Sequence, residues 1–447
     1  MFLYIVTLFN YASAKIGIIT RINTLLLSIS NEITVKYLLF YVLLFISSCS
    51  IAKEPLRIGV ITDTHYLSEQ LMEEGQALNN YIASSGKNIK DVPQVLDQVL
   101  NEYLNSDIQI LLICGDISKD GEKLSHLDFL KKLKPLQDKG IKVYVIPGNH
   151  DINMPNASEY KGDKKLPVAN ISPDDFASIY KDCGYSNALT RDDNSLSYVA
   201  SLDDQTWLLA IDAARYKEYT TGSITAGKIS PDSEKWILEI LREAKQKNKQ
   251  VIGMMHWGFA EHIMYQSSFF KDYLVDDYQR LANLFADNGV KAIFTGHFHS
   301  NDITAFTSDK GNVIYDIETG TLSAYPFSYR FVKMDANGMK IRTENVTSIP
   351  GNPNLAEEDK QRMLKLSTTL AKGKINKLGY NLSEETYGLF ADIIGQIFIK
   401  HAYGDEKVDK SLKEYLEKLS KTMDIPMNIN EIEFDFPPED NNLHIKF

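Results

Sequence analysis

Cysteine is scarce in this sequence, with three residues in 447. They are Cys49, Cys114 and Cys183, and no two of them form a Cys-x-x-Cys pair. A zinc ribbon needs such pairs and a disulfide framework needs a dense, even set, so both kinds of scaffold are excluded. Cys114 lies inside an apolar run, where a cysteine is a small buried hydrophobe and not a nucleophile.

Positive charge is also limited, since 48 Lys and Arg stand against 59 Asp and Glu, for a net charge of −11. A general nucleic-acid binder carries a basic face, so we expect no nucleic-acid duplex as a partner. The apolar content of 44% is that of a globular protein, and the length allows one large domain with an appendage.

The apolar run that precedes Cys49 is too short for a comfortable membrane span, at about ten residues after Lys36. A basic residue, an apolar stretch and then small residues are typical of a signal peptide. The cysteine after Ile46-Ser47-Ser48 resembles the lipobox of bacterial lipoproteins, in which Cys49 is lipidated. A signal anchor with an incidental cysteine is the alternative. We therefore predict a signal-peptide and lipobox region over residues 1–54, and an extracytoplasmic, membrane-anchored lipoprotein or a secreted protein.

Beyond that region, apolar strands alternate with amphipathic helices, a pattern that predicts an α/β fold. The main predicted strands span residues 56–62, 108–114, 142–147, 250–255 and 291–295, and the helices between them span 91–105, 122–138, 230–248 and 273–288. Residues 66–90 and 152–172 are interpreted as loops. Short strands follow residue 300, and helices are predicted over 356–372, 383–402 and 406–423, with His126, His401 and His444 as surface residues.

Polar side chains follow five of the predicted strands, and five of the nine histidines are among them. These residues are Asp63 and His65, Asp116, Asn149 and His150, His256, and His297 and His299. Each group alone is also compatible with a polar turn or a capping Asp beside a chance histidine. Because ligands lie at the carboxyl ends of strands, the five together instead predict a site there. Such side chains suit iron, manganese or zinc, and the central Asp116 can bridge two ions.

Five motifs occur in a fixed order: Asp63-x-His65, Gly115-Asp116, Gly148-Asn149-His150-Asp151, His256 and Gly296-His297-x-His299. In this set and order the chain resembles the calcineurin-like metallophosphoesterase superfamily over about residues 56–345. The resemblance implies a four-layer α-β-β-α sandwich over residues 55–348 with a centre of two divalent metal ions at the strand ends. Residues 354–447 then form a C-terminal helical appendage.

The resemblance also implies a role for each motif residue. The ligands divide into a first set, a second set and a bridging residue: Asp63, His65 and His299; Asn149, His256 and His297; and Asp116. His150 contacts the phosphoryl group and protonates the leaving oxygen as general acid, and Asp151 orients His150 by a hydrogen bond. A hydroxide bridging the metals then attacks phosphorus, so the implied activity is hydrolysis of a phosphodiester or a phosphomonoester.

Differences from known branches of the superfamily indicate which branch the chain resembles most. Purple acid phosphatases carry a Tyr three residues after the bridging Asp, where this chain has Lys119, so a charge-transfer iron site is not expected. No arginine lies near Gly148-Asn149-His150, which disfavours a phosphoprotein phosphatase. The arrangement is most similar to the secreted or periplasmic branch related to cyclic-nucleotide phosphodiesterases and sphingomyelinase-like enzymes.

Substrate contacts are harder to predict. Trp257 follows His256 and either lines the pocket or packs under the loop, and Arg215 either binds phosphate or is a surface residue. We expect the substrate to be a small phosphate ester or a lipid head group. A phosphomonoesterase or nucleotidase is the alternative enzyme, and a non-catalytic surface lipoprotein with a vestigial metal site is the alternative outside enzymes.

Overall fold

The computed structural model describes residues 54–377, 382–404, 406–423, 428–429 and 434–447, so the predicted signal peptide and Cys49 lie outside the described residues. The strands are β1 Leu56–Ile61, β2 Ile110–Cys114, β3 Lys142–Ile146, β4 Ser158–Lys161, β5 Lys164–Pro167, β6 Thr190–Arg191, β7 Tyr198–Ser201, β8 Thr206–Ile211, β9 Gln250–Met255, β10 Val290–Thr295, β11 Asp302–Thr307, β12 Val313–Glu318, β13 Ser328–Asp335, β14 Gly338–Asn345 and β15 Asn442–Lys446.

The helices are α1 Gln76–Ser85, α2 Val92–Asn105, α3 Lys123–Asp138, α4 Pro173–Ile179, α5 Pro231–Gln246, α6 Gln266–Phe269, α7 Tyr278–Asp287, α8 Leu355–Lys377, α9 Glu384–Tyr403 and α10 Lys410–Met423. Short 3-10 turns at Glu69–Leu71 and Lys271–Tyr273 and a π-helical turn at Lys181–Tyr185 complete the set. In the part of the chain that the structure describes, no helix is both long and apolar enough to cross a bilayer.

Two mixed sheets form the centre of the fold. The first has the order β15-β14-β13-β1-β2-β3 and the second β11-β12-β10-β9-β8-β7-β6. Strands β1, β2 and β3 are parallel to one another, as are β8, β9, β10 and β12. The carboxyl ends of parallel neighbours meet at one edge, which is where the motif residues follow their strands.

Alternation along β8 shows how the layers are arranged. Leu208 and Ala210 belong to the large core shared with β1, β2 and α2, whereas Leu209 and Ile211 pack with residues of α5 and α7. Successive side chains of a strand point to opposite faces, so the second sheet is buried between the first sheet and an outer helical layer. Helices α2 and α3 cover the first sheet in the same way. The predicted α-β-β-α sandwich is confirmed.

Three elements differ from the sequence-based expectation. Residues 66–90 contain α1, which buries only Leu78 and therefore shows no apolar periodicity. Residues 152–172 contain the β4–β5 hairpin, whose turn uses a left-handed Gly162. The C-terminal segment ends in β15, which pairs with β14 through Met339 opposite Ile445. His444 on β15 is exposed, as predicted.

The C-terminal helices pack on the sandwich and on each other. Gly395 permits the close approach of α9 to α8, since a Cβ there would lie 2.4 Å from Thr368 Oγ1. Arg362 of α8 donates hydrogen bonds to the carbonyl oxygens of Ile82 and Gly86, at 2.9 and 3.0 Å. These contacts fix α8 against α1, beside the edge that carries the motif residues.

Candidate metal centre and its cavity

The motif residues follow strands of both sheets and share an unusual backbone. Five of them have a positive φ: Asp63 (49°), His65 (42°), Asp116 (48°), His297 (75°) and His299 (66°). Non-glycine residues rarely adopt this conformation, and such strain persists where the surrounding structure enforces it, typically at functional sites. Each strained residue lies within four positions of the end of β1, β2 or β10.

The side chains of these residues converge in two overlapping groups. His299 Nε2 lies 3.1 Å from His65 Nε2 and 3.2 Å from Asp63 Oδ1. In the second group, Asp116 Oδ2 lies 3.3 Å from His256 Nε2, and His297 offers a ring nitrogen within 4.8 Å of both. Asp116 Oδ2 is also 3.7 Å from His65 Nε2, so this oxygen lies between the two groups.

Several potential metal-ligand atoms in the centre are buried and take part in no hydrogen bond: Asp63 Oδ1, Asn149 Oδ1 and His256 Nε2. The opposite atoms of two of these side chains are held in place. Asp63 Oδ2 accepts from the His297 N–H at 2.9 Å, and His256 Nδ1 is 2.8 Å from the Cys114 carbonyl oxygen, to which it donates. Since buried polar atoms are normally paired, the set fits a bound divalent cation.

The electrostatics of the centre favour the same conclusion. Burial raises the pKa of Asp63 and Asp116, but nearby imidazoles led by His256 outweigh burial and hold the pKa of both well below the usual range. Burial lowers the pKa of His297 to about 3 and that of His65 well below its ordinary value. Ionised carboxylates and neutral imidazoles are the protonation states that bind metal ions. His256 differs from His65 and His297, because Asp116 and Asp63 outweigh burial and raise its pKa to about 9, so a bound cation would displace its proton.

The hydrogen-bond partner of His150 is Asp120. His150 Nδ1 lies 2.8 Å from Asp120 Oδ1, and the ring is partly exposed toward the centre. The prediction that Asp151 orients His150 is wrong, because the Asp151 carboxylate accepts hydrogen bonds from the N–H groups of Gly148, Ser118 and Ile117. Asp151 therefore holds the loops after β2 and β3 together.

Lys87 is a second residue that the sequence did not single out, although it lies in the segment predicted to be a loop near the site. Its ammonium Nζ is 3.2 Å from His150 Nε2, and its side chain is buried. Burial lowers the pKa of Lys87, while Asp116 and Asp120 act in the opposite direction. Lys119, adjacent in sequence to Asp120, forms ion pairs with Asp120 and Glu122. It binds Asp120 Oδ2, the carboxylate oxygen that His150 does not contact.

Neither predicted substrate contact lines the cavity above the centre. Trp257 is fully buried, and its indole N–H donates to the Thr225 carbonyl oxygen at 2.7 Å. Its ring centroid lies 4.9 Å from that of His256, so it supports the histidine from behind. Arg215 is paired with Glu218 at 2.6 Å.

Two histidines predicted to be surface residues are buried instead. His126 is on the inner face of α3, where Nε2 lies 3.0 Å from the Asp151 carbonyl oxygen. His401, near the end of α9, lies 2.5 Å from a carboxylate oxygen of Glu406. The helical periodicity around each residue was too weak to show which face would be covered.

A cavity of about 900 Å³ opens above the centre. Its polar side contains Asp116, Asn149, His150, His297, His299 and Lys87. Its other side is formed by the segment around α6 and by α8 and α9. It is mainly apolar, with Lys271, Asp272, Lys374 and Lys377 among its lining, and its apolar residues are Phe269, Phe270, Tyr273, Leu366, Leu370 and Phe398. Phe269 and Leu370 are 57% and 59% exposed, and so the apolar wall continues to the mouth of the cavity. The volume is within the range of small-molecule sites.

The chain is similar to known proteins at the level of a family model and of solved structures. A family model described as calcineurin-like phosphoesterase matches residues 56–301. A dimetal phosphatase from Danio rerio is similar in structure, with 13% identity, a TM-score of 0.47, and coverage of 66% of this chain and 97% of that chain. An NAD nucleotidase from Haemophilus influenzae gives 12% identity, a TM-score of 0.34 and coverage of 83% and 60%, respectively. No curated protein sequence matches the chain.

Proposed function

The chain belongs to the calcineurin-like phosphoesterase family, and on that premise we propose that it is a hydrolase whose centre holds two divalent ions and cleaves a phosphodiester or a phosphomonoester. The observation that supports this most directly is the set of unpaired, buried donor atoms on Asp63, Asn149 and His256. A centre that had lost its function would not need to retain them, since each costs free energy when left unpaired. This argues against a vestigial site.

The ligand assignment follows the two side-chain groups. Asp63, His65 and His299 would hold one ion, His256 and His297 the other, and Asp116 would contact both. Asn149 is assigned to the second ion by the resemblance, and it lines the same cavity with a buried, unpaired Oδ1. Iron, manganese and zinc all suit this mixture of carboxylate, amide and imidazole donors. Bound divalent cations would supply Lewis acidity, which lowers the pKa of water and neutralises phosphoryl oxygens.

His150 is the general acid in this proposal. Its Nδ1–H donates to Asp120 Oδ1, which fixes the orientation of the ring. The Nε2 side lines the cavity next to Lys87. With Nδ1–H donated to Asp120, Nε2 accepts from the Lys87 ammonium, and a proton relayed from Lys87 through Nε2 can pass to the departing alkoxide oxygen. The Lys87 ammonium is placed to donate to the anionic phosphoryl group.

The apolar wall of the cavity suggests which esters are preferred. A phosphate bound at the centre would direct its ester groups toward Tyr273, Leu370 and Phe398. We therefore favour a phosphodiester that carries an apolar group, within the branch related to cyclic-nucleotide phosphodiesterases and sphingomyelinase-like enzymes that the sequence resembles. A monoesterase or nucleotidase remains the alternative outcome.

The basic test is hydrolysis of methyl p-nitrophenyl phosphate and of p-nitrophenyl phosphate by purified protein supplied with manganese, zinc or iron(II). We expect close to two equivalents of metal per chain and faster hydrolysis of the diester. Faster hydrolysis of the monoester would favour the alternative enzyme. Protein without stoichiometric metal and without either activity would exclude the proposed function.

The apolar wall is tested with alkyl p-nitrophenyl phosphates from methyl to octyl. We expect kcat/KM to rise about threefold to fourfold for each methylene that the cavity buries, the equivalent of roughly 0.8 kcal/mol. Leu370→Asp should remove most of this gain and leave the methyl ester unaffected. Leu127→Asp, an exposed leucine on α3, is the matched control. Equal chain-length dependence in both variants would refute a substrate contact at Leu370.

We further propose that Cys49 carries a lipid that anchors the protein to the outer side of a bacterial membrane. The support is the sequence pattern before Cys49: a basic residue, an apolar stretch and then small residues. Cys49 itself is outside the described part of the chain. Metabolic labelling with a radioactive fatty acid should mark the wild-type chain and not Cys49→Ala. Equal labelling of both would exclude the lipid anchor.

A further inference from the structure

A second cluster of buried charged side chains lies where the C-terminal segment meets the sandwich. Asp302 is the first residue of β11, Glu406 follows α9, and Asp435 and Asp440 precede β15. One carboxylate oxygen from each of these four residues lies within 4.8 Å of the others. Asp302 and Asp440 are fully buried, and Glu406 is 3% exposed.

The spacing of these oxygens matches one hard cation. Ca²⁺ binds oxygens at about 2.3–2.6 Å, so two oxygens on one ion are at most about 5 Å apart. Four carboxylates that come from three separate stretches of the chain are brought inside that limit. Like charges at this distance repel strongly in a buried environment.

Two carboxylate oxygens in the cluster are buried without a hydrogen-bond donor, Asp302 Oδ2 and Glu406 Oε2. Their partner oxygens are held: Asp302 Oδ1 lies 2.7 Å from His262 Nδ1, and Glu406 Oε1 lies 2.5 Å from His401 Nδ1. His401 Nδ1 lies 3.6 Å from Asp302 Oδ2. The two unpaired oxygens therefore point into the cluster, as the ligands of an ion would.

The charge of the surroundings is also consistent with a cation. Among the residues that the structure describes, three cationic groups adjoin the cluster: His262, His401 and Arg330. Six carboxylates adjoin it: Asp302, Glu406, Asp435, Asp440, Asp316 and Glu318. Despite burial, Asp302 raises the pKa of His262 and Glu406 raises that of His401. Burial raises the pKa of Asp302 and brings that of Glu318 to about 7. Even with both imidazoles protonated and Glu318 left out of the count, five carboxylates face three cationic groups.

We propose that Asp302, Glu406, Asp435 and Asp440 form a structural cation site of the calcium class, separate from the catalytic centre. The donors are all oxygens, which a hard ion prefers, whereas the imidazole of His401 is already engaged with Glu406 and acts as a positioning residue. The ion ties the segment after α9 and the segment before β15 to β11. Glu406 follows α9 and Asp302 is three residues beyond His299, so the site joins the end of α9 to the strand that follows the last catalytic motif.

The test uses the full chain after chelation and dialysis, with Ca²⁺ added alone. Calorimetric titration should show one Ca²⁺ equivalent in wild type that Glu406→Gln loses. Ca²⁺ at a hundredfold excess over its Kd should raise Tm by about 3 °C in wild type and not in Glu406→Gln. Glu414→Gln, at an exposed position on α10, should behave as wild type.

Glu406→Gln separates this site from the catalytic centre, because it leaves all the proposed catalytic metal ligands unchanged. Equal Ca²⁺ stoichiometry and an equal Tm shift in wild type and Glu406→Gln would overturn the proposal, as would Ca²⁺ uptake by neither. If Glu406→Gln does not fold, the half-buried Asp435→Asn replaces it. This variant should weaken Ca²⁺ binding at least about tenfold, the effect of losing roughly 1.4 kcal/mol, and unchanged affinity would contradict the assignment.

Discussion

Replacing Asp116 with Ala is expected to remove both the metal and the activity, with kcat/KM falling by about a thousandfold or more. Asp116 Oδ2 lies 3.3 Å from His256 Nε2 and 3.7 Å from His65 Nε2, so its loss deprives both groups of an anionic ligand at once. Only Asp63 would then remain to neutralise two dications. Metal content per chain and kcat/KM for methyl p-nitrophenyl phosphate are the measurements.

Asp116→Asn is the companion variant for that experiment. Its amide oxygen can still accept the His150 N–H that Asp116 Oδ1 binds at 2.7 Å, so the loop geometry is retained while the charge is lost. We expect it to lose metal as Asp116→Ala does, with less effect on Tm. Two equivalents of metal and wild-type kcat/KM in either variant would refute a bridging role for Asp116.

Replacing His150 with Ala is expected to retain the metal and lower kcat by about a hundredfold to ten-thousandfold for esters with poor leaving groups. The side chain is within reach of the cavity but belongs to neither group of donor atoms. A p-nitrophenolate leaves without being protonated, so p-nitrophenyl esters should lose much less than dialkyl esters. Equal losses for both esters, or metal loss equal to that of Asp116→Ala, would refute the general-acid role.

Asp120→Asn tests the partner that the structure assigns to His150. Because it weakens the hydrogen bond that orients the His150 ring, we expect the same leaving-group dependence as His150→Ala with a smaller decrease in kcat, about tenfold. Asp151→Asn provides the contrast. Its carboxylate accepts three backbone N–H bonds and one from the Ser118 hydroxyl, so its replacement should lower Tm rather than alter leaving-group dependence.

The catalytic cavity and the proposed cation site both involve the C-terminal helices. Helices α8 and α9 supply the apolar wall of the catalytic cavity, and the proposed cation site lies at the end of α9. Calcium uptake by a protein that hydrolyses no ester would support the site and leave the enzyme proposal refuted. Ester hydrolysis by a protein that takes up no calcium would support the enzyme proposal and refute the cation site.

The linear sequence determined the sandwich and the order of the motif residues. Short apolar runs that end in Asp63, Asp116 or Asn149 are local patterns, and parallel neighbours must bring such ends to one edge. The family resemblance then supplied roles that strand patterns alone do not contain. Local patterns were insufficient where polar residues form regular structure, as in α1, because no apolar periodicity marks such an element.

The tertiary structure alone decided which charged groups meet. Asp120 and Asp151 are both close in sequence to motif residues, and only loop geometry places Asp120 on His150 and Asp151 on backbone N–H groups. Lys87 reaches the centre because α8 holds the end of α1 through Arg362. Asp302 meets Glu406, more than a hundred residues away, because β15 and α9 return to the sandwich. Strand ends follow from local periodicity, whereas these pairings follow from packing between distant segments, which no local pattern encodes.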